Sequence, residues 1–162
     1  MYHKLGISPC YEKSNLTRVT ISHSGRSKLY ESDQYIWLKL HRLQEEHPVN
    51  ITLYDSQLMT LSNMVNLIQQ TDIFVIDVSE VLLNMVFLRT YSVIIVLDDE
   101  CERREAFHRA YRKLSSELTL QYEVVNKQNV SLLFPGFNSL IKPYLSFISN
   151  KYLIECNVYS TT

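Results

Sequence analysis

Several groups of residues in the sequence have types and spacings suited to chemistry. Asp55, Asp77 and the pair Asp98-Asp99 each end an apolar run. Carboxylates at the ends of neighbouring strands would hold Mg²⁺ for phosphoryl transfer, because that ion takes hard oxygen ligands. Asp is also favoured wherever a strand turns toward a helix, which needs no ion, and the turn is the expectation here. Cys101, Glu105 and His108 stand at i, i+4 and i+7, a spacing that shares one helical face and suits zinc. No fourth ligand accompanies them, so an ordinary mixed polar face is expected, with no metal. His23, Arg26 and Lys28 form a short basic loop. Such a loop, feeding a helix N-terminus, can hold an anionic group; a plain surface loop is the alternative. Arg103, Arg104, Arg109, Arg112 and Lys113 are interspersed with acids, the pattern of a solvated face rather than a nucleic-acid stripe. Phe107 and Tyr111, four apart, read as core.

Composition closes other routes. The chain has 162 residues with 16 basic and 17 acidic side chains, which leaves no overall electrostatic footprint for nucleic acid or a membrane surface. It has only three glycines, Gly6, Gly25 and Gly136. A Walker loop, a dinucleotide fingerprint and a Gly-x-Ser-x-Gly elbow each need two or more at fixed spacing, so all three are excluded. Cys10, Cys101 and Cys156 have no paired spacing, and read as buried or incidental thiols. No apolar run approaches the roughly 20 residues of a membrane span, and the first residues lack the apolar stretch of a secretory signal. Asn15-Leu-Thr, Asn50-Ile-Thr and Asn129-Val-Ser match the glycosylation acceptor pattern, which is weak evidence of secretion. The expectation is a cytoplasmic protein, or a secretory-lumen one if the chain is a piece of something larger.

The elements that must position these residues alternate between strand and helix. After an irregular lead-in over 1–15, Leu16–Ser22 reads as a strand, and Ser32 caps a helix to about Glu46, closed by Pro48. Val49–Tyr54 is a strand and Thr60–Gln70 a helix. Asp72–Asp77 contains the run Ile73-Phe74-Val75-Ile76, too apolar for a strand with a wet face and suited to a central parallel strand. Ser79 caps a short helix to Leu88, Val93–Leu97 repeats the apolar pattern, Glu100–Leu118 is a long helix and Leu120–Val125 a fifth strand. A polar connection over 126–136 leads to a last helix at about Phe137–Tyr152, and 153–162 is a tail. This alternation predicts one α/β domain over 16–152, a single Rossmann-like doubly wound parallel sheet of about five strands. Ligands of such sheets bind beyond the carboxyl ends of the strands, where strand order reverses.

The order of these segments resembles the carboxyl-terminal half of the family sixty-one glycosyltransferases, inverting enzymes with two facing Rossmann-like domains. The group includes the EGF-domain-specific O-linked N-acetylglucosamine transferase. Arg18-Val-Thr-Ile-Ser-His-Ser-Gly-Arg-Ser-Lys-Leu-Tyr-Glu is similar to that family's strand and basic loop. Thr71-Asp-Ile-Phe-Val-Ile-Asp-Val-Ser-Glu-Val-Leu-Leu-Asn-Met-Val-Phe-Leu aligns without a gap to its donor-loop segment, in which Gly-x-His-Gly-Ala carries the chemistry. The resemblance covers about 16–125 and implies a donor-site remnant of His23, Arg26, Lys28, Asp77, Val78, Ser79 and Asn84. At the motif itself this chain reads Ile76-Asp-Val-Ser-Glu. Both glycines are gone, which obstructs close backbone approach to a diphosphate. Val78 stands in place of the histidine, and Asp77 and Glu80 add charge that repels a diphosphate.

The resemblance therefore implies a glycosyltransferase-derived pseudoenzyme with no catalytic residue and no cofactor, acting as a protein-binding or scaffolding module. Two enzymatic alternatives stand beside it. One is a UDP-sugar-dependent transferase, intact or completed by a partner; the other is a Mg²⁺-dependent phosphoryl-transfer enzyme built on the strand-end aspartates. The expected partner is another protein or a second copy, docking on the face that the missing half covers in the family, with Phe137, Tyr144, Phe147 and Tyr152 as aromatic anchors.

Overall fold

The computed structural model describes residues 16–22, 44–45, 48–55, 57–98, 100–126, 141–145 and 148. Five parallel strands form one sheet: β1 (Thr17–Ser22), β2 (Val49–Tyr54), β3 (Ile73–Asp77), β4 (Val93–Asp98) and β5 (Gln121–Asn126), in spatial order β2-β1-β3-β4-β5. Helix α1 (Leu61–Gln69) joins β2 to β3, a 3₁₀ turn (Val78–Glu80) and α2 (Val81–Met85) join β3 to β4, and α3 (Glu105–Glu117) joins β4 to β5. The expected Rossmann-like parallel sheet is what forms, in the second of the two common doubly wound orders.

The central strands are apolar because both their faces are covered. All six residues of β4 are buried, as are the first four of β3. Alternate side chains go to opposite faces. Ile73, Val75, Val93 and Ile95 pack with Val19, Ile21 and Val49 against Ile141 and Ile148 on one side. Phe74, Ile76, Ile94 and Val96 pack against Met64 and Ile68 of α1 and Val81 and Met85 of α2 on the other. Phe74 is wholly buried, and truncating such a residue to Ala costs about 3–5 kcal/mol.

The amino edge of the sheet is tied by polar side chains. Asp72 precedes β3 rather than starting it; its carboxylate takes the Arg18 backbone N–H at 2.8 Å and Arg89 Nη2 at 2.6 Å. The Thr71 hydroxyl meets that of Thr20 at 2.6 Å, and Ser92 Oγ donates to the Thr71 carbonyl at 3.0 Å.

Two helix starts differ from expectation, both because an aspartate side chain intervenes. Ser79 does not cap the helix after β3: Asp77 caps a 3₁₀ turn that precedes α2, and α2 itself starts from Glu80 with no side-chain cap. The long helix opens at Glu105, not Glu100, because Asp98 takes the Glu100 N–H at 2.9 Å and holds 101–104 as turns. At its other end α3 closes with Leu120 N–H on the Ser115 carbonyl at 2.7 Å and Thr119 N–H on that of Ser116 at 3.1 Å. This is the Schellman arrangement, which places its C′ residue in the left-handed region. Glycine usually fills that position; here Thr119 does, at φ 58°.

Candidate functional site at the carboxyl edge

Strand order reverses between β1 and β3, which opens the crevice where ligands of this architecture bind. Ser22 ends β1, Asp77 ends β3, and the turn Val78–Glu80 leads into α2 with Asn84. Asp77 Oδ1 accepts both the Ser79 backbone N–H at 3.0 Å and the Ser79 hydroxyl at 2.9 Å. The Ser22 hydroxyl donates to Glu80 Oε2 at 2.8 Å. Asn84 Nδ2 donates to the Glu80 carbonyl at 2.8 Å, and its buried Oδ1 has no hydrogen-bond partner among the described residues. Val78 is half-buried against the sheet face that α1 and α2 cover. Asp77, Val78, Ser79 and Asn84 are thus brought together at the switch point. His23, Arg26 and Lys28 lie outside the described residues.

A second polar cluster stands at the end of β4. Asp98 is fully buried. Its Oδ1 accepts from Arg104 Nη1 at 2.7 Å and from the Glu100 N–H, while its Oδ2 bonds His108 Nε2 at 2.8 Å. The other ring nitrogen, Nδ1, meets the Tyr122 hydroxyl at 2.9 Å. With Nε2 donating to the carboxylate, Nδ1 of a neutral ring accepts the Tyr122 proton, and every polar atom of the imidazole is used. Burial pushes the Tyr122 hydroxyl well above the usual tyrosine range, against the opposing Arg112 charge, so Tyr122 stays a donor. His108 is itself buried. With both nitrogens engaged inside the protein, it has no lone pair for a substrate proton. The cluster therefore locks α3 to β4 and β5.

The strand-end aspartates share one local geometry. Asp55 accepts the Gln57 N–H at 2.9 Å, Asp77 that of Ser79 and Asp98 that of Glu100. Each closes an Asx-type turn two residues long, the role expected from the sequence. Among the described residues no three His, Cys, Asp or Glu side chains are placed to hold a metal ion. The spacing argument for Cys101, Glu105 and His108 fails at its first member, since Cys101 sits in the turn before α3, its thiol on the Asp98 carbonyl at 3.0 Å. Arg103 and Arg109 lie on an exposed face and pair with Glu100 and Glu105, as expected. Arg104, grouped with them in sequence, instead holds a buried carboxylate.

Of the four aromatic anchors only Tyr144 is described; Phe137, Phe147 and Tyr152 are not. Tyr144 is half-buried against the sheet's own core, and burial, then the neighbouring Glu123 carboxylate to which it is bonded, raises its hydroxyl pKa. Among the exposed apolar side chains are Leu58, 84% exposed, and Leu61, 65% exposed although its spacing with Met64 and Ile68 predicts an inward position. They follow the carboxyl end of β2 and open α1. Among the described residues no helix is long and apolar enough to cross a membrane. No family model and no curated protein matches the chain.

Proposed function

We propose that the chain is a glycosyltransferase-derived domain that does not bind a nucleotide-sugar and serves as a protein-binding or scaffolding module. The observation that carries this is the use of the turn after β3. A diphosphate at a switch point is held by backbone N–H groups and hydroxyls presented outward. Here the Ser79 N–H and hydroxyl are both spent on Asp77 Oδ1, and the Ser22 hydroxyl is spent on Glu80. An incoming diphosphate would have to displace two carboxylates and then sit beside their charge. The same edge carries exposed Leu58 and Leu61, side chains suited to a protein surface rather than to a sugar.

Calorimetric titration with UDP-sugars tests the reading: no heat of binding is expected, and micromolar affinity would overturn it. Sedimentation against concentration then asks whether the partner is a second copy. The phosphoryl-transfer alternative is not favoured, because each aspartate it needs already closes its own turn.

A further inference from the structure

We propose that β2 is a docking edge for a second copy of this chain, the two β2 strands pairing antiparallel across a two-fold axis so that both sheets become one. This rests on the reading above as a protein-binding module and names its partner. β2 ends the sheet, with β1 on one side and no strand on the other among the described residues. The Thr17 N–H bonds the Pro48 carbonyl at 2.9 Å. Backbone polar groups alternate sides along a strand, so Asn50 and Thr52 also face β1. Val49, Ile51 and Leu53 therefore turn N–H and C=O outward, where no described residue bonds them. An open row of this kind is a template for another strand, and proteins blunt it with charge or proline. The other edge strand, β5, carries the exposed Glu123 in its middle. β2, Val-Asn-Ile-Thr-Leu-Tyr, holds neither device.

The occupant follows from the pattern. Val49-Asn-Ile-Thr-Leu53 reads the same in both directions by side-chain type, apolar alternating with polar. A two-fold axis through the sheet at Ile51 sets that residue opposite its own copy, Val49 opposite Leu53 of the second copy, and Asn50 opposite Thr52 of the second copy. In that register the outward groups of Val49, Ile51 and Leu53 are the ones that meet, so each finds a partner. Val49 and Ile51 are buried on the sheet face covered by Ile141 and Ile148, with Leu53 packed against them, and the apolar row runs on from one copy into the next. The exposed Asn50 and the half-buried Thr52 share the other face. A charge placed here would stand close to its own copy and repel it, and β2 has none. The net charge of -1 on the whole chain leaves little repulsion between copies at longer range.

The test follows the full chain by sedimentation and by amide hydrogen exchange across protein concentration. Two short strands bury little surface beyond their ladder, so half-association near about 100 μM is expected. Through that range exchange at the Val49, Ile51 and Leu53 N–H groups should slow by about ten-fold, while Asn50 and Thr52, already bonded to β1, stay protected at every concentration. Asn50→Glu combined with Thr52→Glu sets like charges opposite each other and should weaken the dimer about ten-fold or more. Asn50→Glu combined with Thr52→Lys sets opposite charges there and should restore the affinity. Both variants alter the same two side chains, so if neither folds, the alternating exchange pattern of the unchanged chain decides. A chain that stays monomeric to about 1 mM overturns the proposal, as does a dimer in which those three amides still exchange fast, or one that both variants form alike. A chain that is monomeric and also silent toward UDP-sugars removes the β2 dimer alone and leaves the reading above standing.

Discussion

Replacing His108 with Leu should destabilise the fold by about 3–4 kcal/mol, through the loss of two hydrogen bonds rather than of volume. Asp98 is completely buried and His108 nearly so. The substitution leaves Asp98 Oδ1 on Arg104 and the Glu100 N–H, but removes the partner of Oδ2 that lies at 2.8 Å. An unpaired charged acceptor at such depth costs about 2–3 kcal/mol, and the stranded Tyr122 hydroxyl adds about 1 more. Leu fills a comparable space, so the cavity contribution is small. For a chain of this length about 3 °C accompanies each kcal/mol, giving a melting temperature lower by roughly 10 °C. Urea unfolding followed by circular dichroism measures the loss, with the slope unchanged if only the native network is affected. A cycle with Tyr122→Phe should show a coupling of about 1 kcal/mol, since the second change then removes a group already stranded. A loss below about 1 kcal/mol for His108→Leu, the size of a surface effect, would refute the assignment of this cluster as the lock between α3 and the sheet.

Asp72→Ala should cost about 2–3 kcal/mol by urea unfolding, because it removes the buried carboxylate that accepts from both Arg89 and the Arg18 N–H; loss of less than about 1 kcal/mol would contradict that. Alkaline titration should unfold the protein early. Burial raises Tyr122, Tyr111 and Tyr144 above their ordinary value of 10.0, so unfolded phenols ionise first. Stability is then complete below about pH 10 and falls above it, by at most about 1.4 kcal/mol per pH unit for each tyrosine. Tyr122→Phe should flatten that fall, and an unchanged slope would remove Tyr122 from the account. Thr119→Gly should raise stability by up to about 1 kcal/mol, since a β-branched residue at positive φ is strained and glycine is not; destabilisation would show the strain to be absent.

The parts of the fold legible in sequence were those set by composition alone. Ile73–Ile76 and Val93–Leu97 are apolar on both faces, and only a strand between two layers satisfies that. The strand-end aspartates read as turn residues, and each closes a turn. Misplacement began where a side chain competes with the backbone. Asp98 accepts the Glu100 N–H and draws in Arg104, so four residues of helical composition, 101–104, form turns instead. The cluster of Asp98, His108 and Tyr122 gave no periodic signal, because it depends on how α3 lies across β4 and β5. Asn84 was named by resemblance to a donor site, but its orphaned oxygen depends on the Glu80 carbonyl beside it, which spacing does not reveal.

The strand order has a kinetic consequence. β3 pairs with β4 and β4 with β5, each across a single helical crossover. β1 sits beside β3 only after the intervening β2 has been passed over, as in the bond between Arg18 and Asp72, which spans 54 positions. Closing that loop costs chain entropy before any contact compensates. Pairing among β3, β4 and β5 should therefore lead in the folding transition state. Substitutions at Ile94 or Val96 should slow folding, while those at Val19 or Ile21 should mainly speed unfolding. The reverse pattern in stopped-flow measurements would place nucleation at β1. With β3, β4 and β5 leading, β1, which completes the crevice with β3, is the last to arrive and the first to leave, which makes the crevice the least durable part of the sheet.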